Sequence, residues 1–227
     1  PQGWRIGAAE TWAGIAAAPL PPAFDALRQA AREVGAVQIQ NAGTIAGNIC
    51  NASPAADGVP PLLVLGAEVE LASAAGRRRL ALQDFITGVR RTALAPGELV
   101  VALHLPHPPR GAGGAFLKLG TRSSLVISIA MVAAVVRLAQ GRIAEARLAV
   151  GSCSPVACRL PEWEAALSGR APAETADLRP DPAHLAGLAP IDDVRATAAY
   201  RLRAVRELCR RAVMQAALSA GEVADAR

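Results

Sequence analysis

The stretch from Gln38 to Asp57 concentrates the residues of this chain best suited to meet a ligand. It carries Gln38, Gln40, Asn41, Thr44, Asn48, Asn51, Ser53 and Asp57, all with hydrogen-bonding side chains. Between them, Gly43, Ala46 and Gly47 leave almost no side-chain bulk. Such residues let backbone N–H groups approach a ligand closely, and glycine takes positive φ without strain. Amides gathered in a tight concave turn make a site for phosphate oxygens. Thr44 and Asn48 could add directed hydrogen bonds, and an ionised Asp57 would accept one from a ligand N–H or hydroxyl. Composition alone fits an ordinary Gly/Asn-rich surface loop equally well. No GxGxxG stands between a strand and a helix, and no P-loop is present.

Other chemistry is thinly represented. His104 and His107 are close in sequence, but His184 is remote and no acid or cysteine joins them at ligand spacing. No metal site is therefore expected. Ser152 and Ser154 lack triad partners, which leaves nucleophilic hydrolysis unsupported. Cys50, Cys153, Cys158 and Cys209 form no CxxC pair and read as reduced thiols of a cytoplasmic protein.

Hydrophobic residues make up 52% of the chain and charged ones 19%, a balance that suits a compact globular fold. Aromatics are only 3%, so the core must be built from Ala, Val, Leu and Ile, in thin layers where backbones approach closely. The net charge is +5 and Lys118 is the only lysine. The arginines are scattered, without aromatic partners, and nucleic-acid binding is not indicated. Arg77, Arg78 and Arg79 read as a solvated hairpin turn. The longest apolar run, Leu125 to Val136, is broken only by Ser128; it is too short to span a bilayer and reads as a buried strand. No signal peptide is read at the start of the sequence.

The elements that must hold these residues follow from pattern. Trp4–Ala8 reads as a strand and Glu10–Ala17 as a small helix. A helix over Ala23–Val34 has Pro22 in its first turn and Gly35 as its stop. The segment from Val37 to Asp57 fits neither helix nor strand, and Pro60-Pro61 opens a short apolar helix to Leu65. Glu68–Ala72 and Arg79–Leu82 form a hairpin around Gly76, followed by a strand over Glu98–Leu105. The Pro/Gly-rich stretch from Pro106 to Gly114 is the expected domain boundary. Ala115–Leu119, Leu125–Leu138 and Ile143–Val150 form an antiparallel meander, with a turn at Gly120–Ser124. Helices are expected over Pro161–Leu167, near Pro182–Gly187 and over Thr197–Ala220.

Asn41-Ala-Gly-Thr-Ile-Ala-Gly-Asn48 followed by Asn51-Ala-Ser-Pro-Ala-Ala-Asp57 closely resembles the second FAD-binding motif of molybdenum-hydroxylase flavoproteins, the family of xanthine dehydrogenase and carbon-monoxide dehydrogenase. That family's pattern is Asn-x-Gly-Thr-Ile-Gly-Gly-Asn, then Ala-Ser-Pro-x-x-Asp. Val34-Gly35 with Gln38-Ile39 resembles its lead-in. Gly97-Glu98-Leu99-Val100, Phe116-Leu117-Lys118 and Ala199-Tyr200-Arg201 are similar to later landmarks, so the resemblance covers the chain.

The resemblance implies an α+β protein in two parts. Residues 1–107 would be the second lobe of a PCMH-type FAD-binding domain. Residues 108–227 would be a carbon-monoxide-dehydrogenase-flavoprotein C-terminal domain, a three-stranded antiparallel sheet on a helix bundle. It implies FAD contacts from Val34, Thr44, Ile45, Ala46, Gly47, Asn48, Asp57, Leu99 and Lys118, with no catalytic acid or base. Thr44, Gly47 and Asn48 would hold the pyrophosphate, Asp57 the flavin or its ribityl side, and Lys118 would place a positive charge near the isoalloxazine. Arg122 is a further candidate there. Electrons would arrive from a molybdenum-cofactor large subunit through a [2Fe–2S] small subunit, and leave to NAD+ or another acceptor. Ala46 departs from the family's Gly. The family's first, Gly-Gly-rich FAD motif has no counterpart in this sequence, whose first residues Pro1-Gln2-Gly3 match the start of the second lobe, so the first lobe is expected to be missing. The rival readings are an assembly subunit that binds no flavin and a stand-alone flavin oxidase.

Overall fold

A computed structural model describes residues 3–123 and 125–224. The expected chain start at Pro1 and Gln2, and Ser124 of the expected turn, lie outside the described residues. The first half runs β1 (Trp4–Gly7), α1 (Trp12–Ala17), α2 (Asp25–Glu33), α3 (Val37–Ala42), α4 (Ile45–Asn51), α5 (Val59–Val64), β2 (Glu68–Ser73), β3 (Gly76–Ala81), α6 (Leu82–Phe85), β4 (Ile86–Gly88), β5 (Arg91–Thr92) and β6 (Leu99–Leu105). The second half runs β7 (Ala112–Leu119), β8 (Ala130–Ala139), β9 (Arg142–Gly151), β10 (Cys158–Arg159), α7 (Pro161–Leu167) and α8 (Ala198–Ala224). A 3-10 turn over Pro22–Phe24 leads into α2, and two more, Pro172–Thr175 and Ala183–Leu185, precede α8.

Two four-stranded antiparallel sheets carry the fold. The first has the order β1-β6-β2-β3 and the second β10-β9-β8-β7. The expected hairpin is β2–β3, but Arg77, Arg78 and Arg79, expected in its turn, are paired in β3 opposite Ala72, Leu71 and Glu70, and the turn lies at Ala74–Ala75. The expected meander is β7–β8–β9 with the two-residue β10 added at its edge. The second sheet is buried on both faces. Met131, Ala133 and Val135 of β8 join the core shared with α2, α5 and the first sheet. Val132, Ala134 and Val136 face the core shared with Val205, Cys209, Ala212 and Ala216 of α8. Side chains alternate across a strand, so a strand covered on both sides must be apolar throughout. That is why the run reads as uninterrupted.

The thin layers follow from the scarcity of aromatics. A Cβ added to Gly113 of β7 would overlap Ala216 O and Ala220 N of α8 on one side of the strand. One added to Gly114 would meet Ala23 O on the other. These glycines, expected in the linker, instead pair with Val136 and Val135, so the strand starts three residues earlier than expected.

Two further expectations are corrected. The segment 37–57 contains two short helices, α3 and α4, where no regular element was expected. Helices this short draw little stability from propensity and depend on tertiary packing; in α4 that anchor is Ile45 and Ile49, both fully buried. Leu125–Ile129 is not strand. Leu125 sits at φ +54°, its carbonyl accepts a bond from Arg122 Nη2, and Ile129 N–H donates to Leu119 O at 2.7 Å. The chain is thereby looped out before β8 begins. Among the described residues no helix is long and apolar enough to cross a membrane.

Candidate functional site

The segment after β1 braces the candidate loop. Thr11 and Thr44 form an isolated antiparallel bridge, Trp12 N–H donates to Gly43 O at 3.2 Å, and Ile45 N–H donates to Glu10 O at 2.9 Å. Ala8 ties the same turn to β6, donating to Val101 O at 3.1 Å and accepting from Ala46 N–H at 3.4 Å. Trp12 is buried, and its ring lies so close to Gly58 that any side chain there would overlap it. A bulky indole in an otherwise aromatic-poor core thus packs between the two ends of the motif.

Thr44 is the N-cap of α4, its Oγ1 accepting from Gly47 N–H at 3.0 Å. That bond satisfies one of the free amides a helix start presents. With Ile45 and Ile49 inward, Gly47 is exposed and Ala46 and Asn48 are half-buried. Asn48 Oδ1 is itself buried with no hydrogen-bond partner among the described residues. Ala52 ends α4 in the left-handed region, at φ +45°, and swings the chain toward Asp57.

Asp57, Lys118 and Ser128 come together from three distant segments. Lys118 Nζ lies 2.6 Å from Asp57 Oδ2 and donates to Glu33 O at 3.1 Å. Ser128 Oγ donates to Asp57 Oδ1 at 2.6 Å. The Asp57 and Lys118 side chains are 9% and 7% exposed, and Ser128 is fully buried, so this pair is shielded from water. Glu33 is the last residue of α2, where the helix carbonyls favour a cation. Burial pushes the Asp57 carboxyl above the usual range, while Lys118 and the Ser128 hydroxyl pull it back.

Lys118 is thus neither a solvated strand residue nor a lone positive charge. Val34 caps α2 beside this cluster. Leu99 opens β6 and is 71% exposed. Arg122 is exposed and lines, with Glu33 and Lys118, a cavity of about 310 Å³.

A second cavity, of about 320 Å³, adjoins the first part of the motif. Ser53, Arg90, Ile127, Ser152, Arg195 and Arg201 line it. Arg195 Nη1 donates to Ser128 O at 3.1 Å, and Asp193 holds both Arg195 and Arg201. Arg201 is 1% exposed and also donates to Ile129 O and Ser152 O. Asp193 is held well below the usual carboxylate range, first by its bond from Arg195. Arg90 and Ser152 both sit at positive φ, and their N–H groups donate to Ala52 O and Pro54 O, each at 2.9 Å.

Sequence reasoning missed Ser128, Asp193 and Arg195. Ser128 had a signal, as the single polar residue interrupting the apolar run. Asp193 and Arg195 lie in a loop without pattern and gave none.

The chain matches the FAD binding domain in molybdopterin dehydrogenase over residues 1–108, and the CO dehydrogenase flavoprotein C-terminal domain over residues 115–216. It is 31% identical to the xanthine dehydrogenase FAD-binding subunit of Escherichia coli over 96% of this chain and 75% of that protein. It is 34% identical to the nicotine 6-hydroxylase medium subunit of Paenarthrobacter nicotinovorans over 82% of this chain and 65% of that one. Among solved structures it is similar to CO dehydrogenase from Oligotropha carboxidovorans, with a TM-score of 0.85, 29% identity, and coverage of 95% of this chain and 76% of the other. Quinoline 2-oxidoreductase from Pseudomonas putida aligns with the same TM-score of 0.85 at 26% identity, over 95% and 75% of the two chains.

Proposed function

The chain belongs to the FAD-binding subunits of the molybdenum hydroxylases, and from that premise we propose that it is the flavin-holding, electron-transferring part of such an oxidoreductase. Residues 1–107 act as the flavin-binding part and 108–227 as the C-terminal domain that closes on it. The observation that carries this reading is the presence in one chain of the Thr44-capped turn and the buried Asp57–Lys118 pair.

The residues present fit FAD: Asn48 Oδ1 is a buried acceptor without a partner among the described residues, suited to a ligand N–H or hydroxyl, and the exposed, side-chain-free Gly47 leaves room for the ligand to approach the backbone. In this reading Thr44, Ile45, Ala46, Gly47 and Asn48 hold the pyrophosphate side. Val34, Asp57, Leu99 and Lys118 line the flavin side. When bound, FAD would supply the redox chemistry, taking electrons from the partner's iron–sulfur clusters and releasing them as a pair to NAD+ or singly to another acceptor. The task of the protein is to bind, orient and electrostatically tune the cofactor, which needs no catalytic acid or base. The proposed partners are a molybdenum-cofactor large subunit and a [2Fe–2S] small subunit.

The test is to purify the native complex, record its visible spectrum and identify the flavin released by acid. Stoichiometric FAD with iron–sulfur absorbance supports the proposal. A complex that contains this chain but no flavin overturns it and favours an assembly role.

A further inference from the structure

We propose that Ser128 is a positioning residue for the flavin site: its hydroxyl holds the Asp57 carboxylate on Lys118, so that Lys118 faces the flavin as half of a neutral pair rather than as a free cation. This rests on the reading above, in which Lys118 lies beside the isoalloxazine ring.

The geometry leaves Asp57 few alternatives. Oδ2 takes the ammonium of Lys118 at 2.6 Å, and among the described residues the only side-chain donor to Oδ1 is Ser128, also at 2.6 Å. Ser128 cannot easily turn away. Its own carbonyl is gripped by Arg195, which Asp193 fixes in turn, and the next residue is tied to Leu119 O. The loop-out of Leu125–Ile129 that replaces the expected strand is what brings this hydroxyl inward.

The other charged groups about the cluster are Glu33 at the end of α2, Arg122 at the neighbouring cavity, and Arg195 behind Ser128. Of the charged groups among the described residues, only Lys118 pairs with the carboxylate directly. Burial favours the neutral form of Asp57, and the two hydrogen bonds oppose it. Removing the serine hydroxyl takes away one of the two bonds that stabilise the charged form, so Asp57 holds its proton to higher pH. A protonated Asp57 leaves the charge of Lys118 uncompensated, and a positive charge beside the ring favours the reduced, anionic flavin.

The experiment measures the midpoint potential of the bound flavin in the native complex between pH 5 and 9 for the wild type, Ser128→Ala, Ser128→Thr and Lys118→Gln. Ser128→Ala is expected to have a more positive potential than wild type at the acidic end, converging at the alkaline end where Asp57 ionises in both. Ser128→Thr, which keeps the hydroxyl, is expected to follow the wild type. Lys118→Gln is expected to lower the potential throughout. A Ser128→Ala profile that superimposes on wild type, while Lys118→Gln shifts it, overturns the role of Ser128. No shift in Lys118→Gln overturns instead the placement of Lys118 at the flavin. If Ser128→Ala does not assemble, Asp57→Asn reads the same quantity: a more positive potential supports the proposal, and an unchanged one overturns it.

Discussion

Lys118 Nζ lies 2.6 Å from Asp57 Oδ2, a contact that joins the second sheet to the loop after α4 across 61 residues of sequence. Both side chains are more than nine-tenths buried. Breaking a buried pair by removing one partner strands the other charge, at a cost of about 3 kcal/mol or more. Lys118→Met should therefore lower the unfolding free energy by roughly that amount, measured by urea denaturation. The double variant Lys118→Met with Asp57→Asn should recover part of the loss, because no buried charge then remains. Strictly additive losses would show that the two residues do not interact.

Gly113 is where β7 presses on the backbone of α8. Gly113→Ala is expected to cost about 2 kcal/mol, because the added carbon meets main-chain atoms of Ala216 and Ala220 that cannot rotate aside. The thermal midpoint should fall by several degrees. Gly141, at positive φ in the open β8–β9 turn with free space where a Cβ would sit, is the control for a purely conformational effect.

Glu70 gives the first sheet a pH response. Its Oε2 lies 2.7 Å from His104 Nε2 and its Oε1 2.6 Å from Arg77 Nη1. These bonds, that from His104 foremost, lower its carboxyl from the ordinary value of 4.5 to about 2. Because the folded value lies below the unfolded one, the contribution is present above the ordinary glutamate value and lost as pH falls toward about 2. Glu70→Gln should flatten the acid limb of a stability-versus-pH curve in that window. An unchanged limb would show that other carboxylates govern acid unfolding.

Thr44 caps α4 through Gly47 N–H. Thr44→Ala should cost about 1 kcal/mol of stability, and Thr44→Ser much less. Hydrogen exchange at Gly47 should quicken in the alanine variant alone. The alanine variant should also release FAD more readily from the native complex, measured by flavin fluorescence after dilution.

Much of the architecture was legible because it rests on local pattern. The β2–β3 hairpin follows from Gly76, and α2 from Pro22 and its apolar face. The buried strand β8 was legible through its apolar run but overextended, because an apolar residue reads alike in a strand and in a buried loop. Leu125–Ile129 belongs to the second kind. The short helices α3 and α4 were invisible for the complementary reason: both are short and mix polar with apolar residues without a clear helical period; α3 buries none of its side chains, and α4 is held by the packing of Ile45 and Ile49.

By itself the sequence determined the family, through the Asn41–Asn48 and Asn51–Asp57 motifs, and with it the residues proposed for FAD, since a loop that wraps a ligand with backbone amides must write small and polar residues contiguously. Only the tertiary structure decided what those residues meet. That Lys118 is half of a buried ion pair, that Ser128 completes it, and that Asp193 organises Arg195 and Arg201 beside it are outcomes of packing between segments far apart in the chain. Ion pairs and hydrogen bonds act over a few ångströms in space and leave no spacing in the sequence, so Lys118 and Asp57 could each be recognised there but their pairing could not.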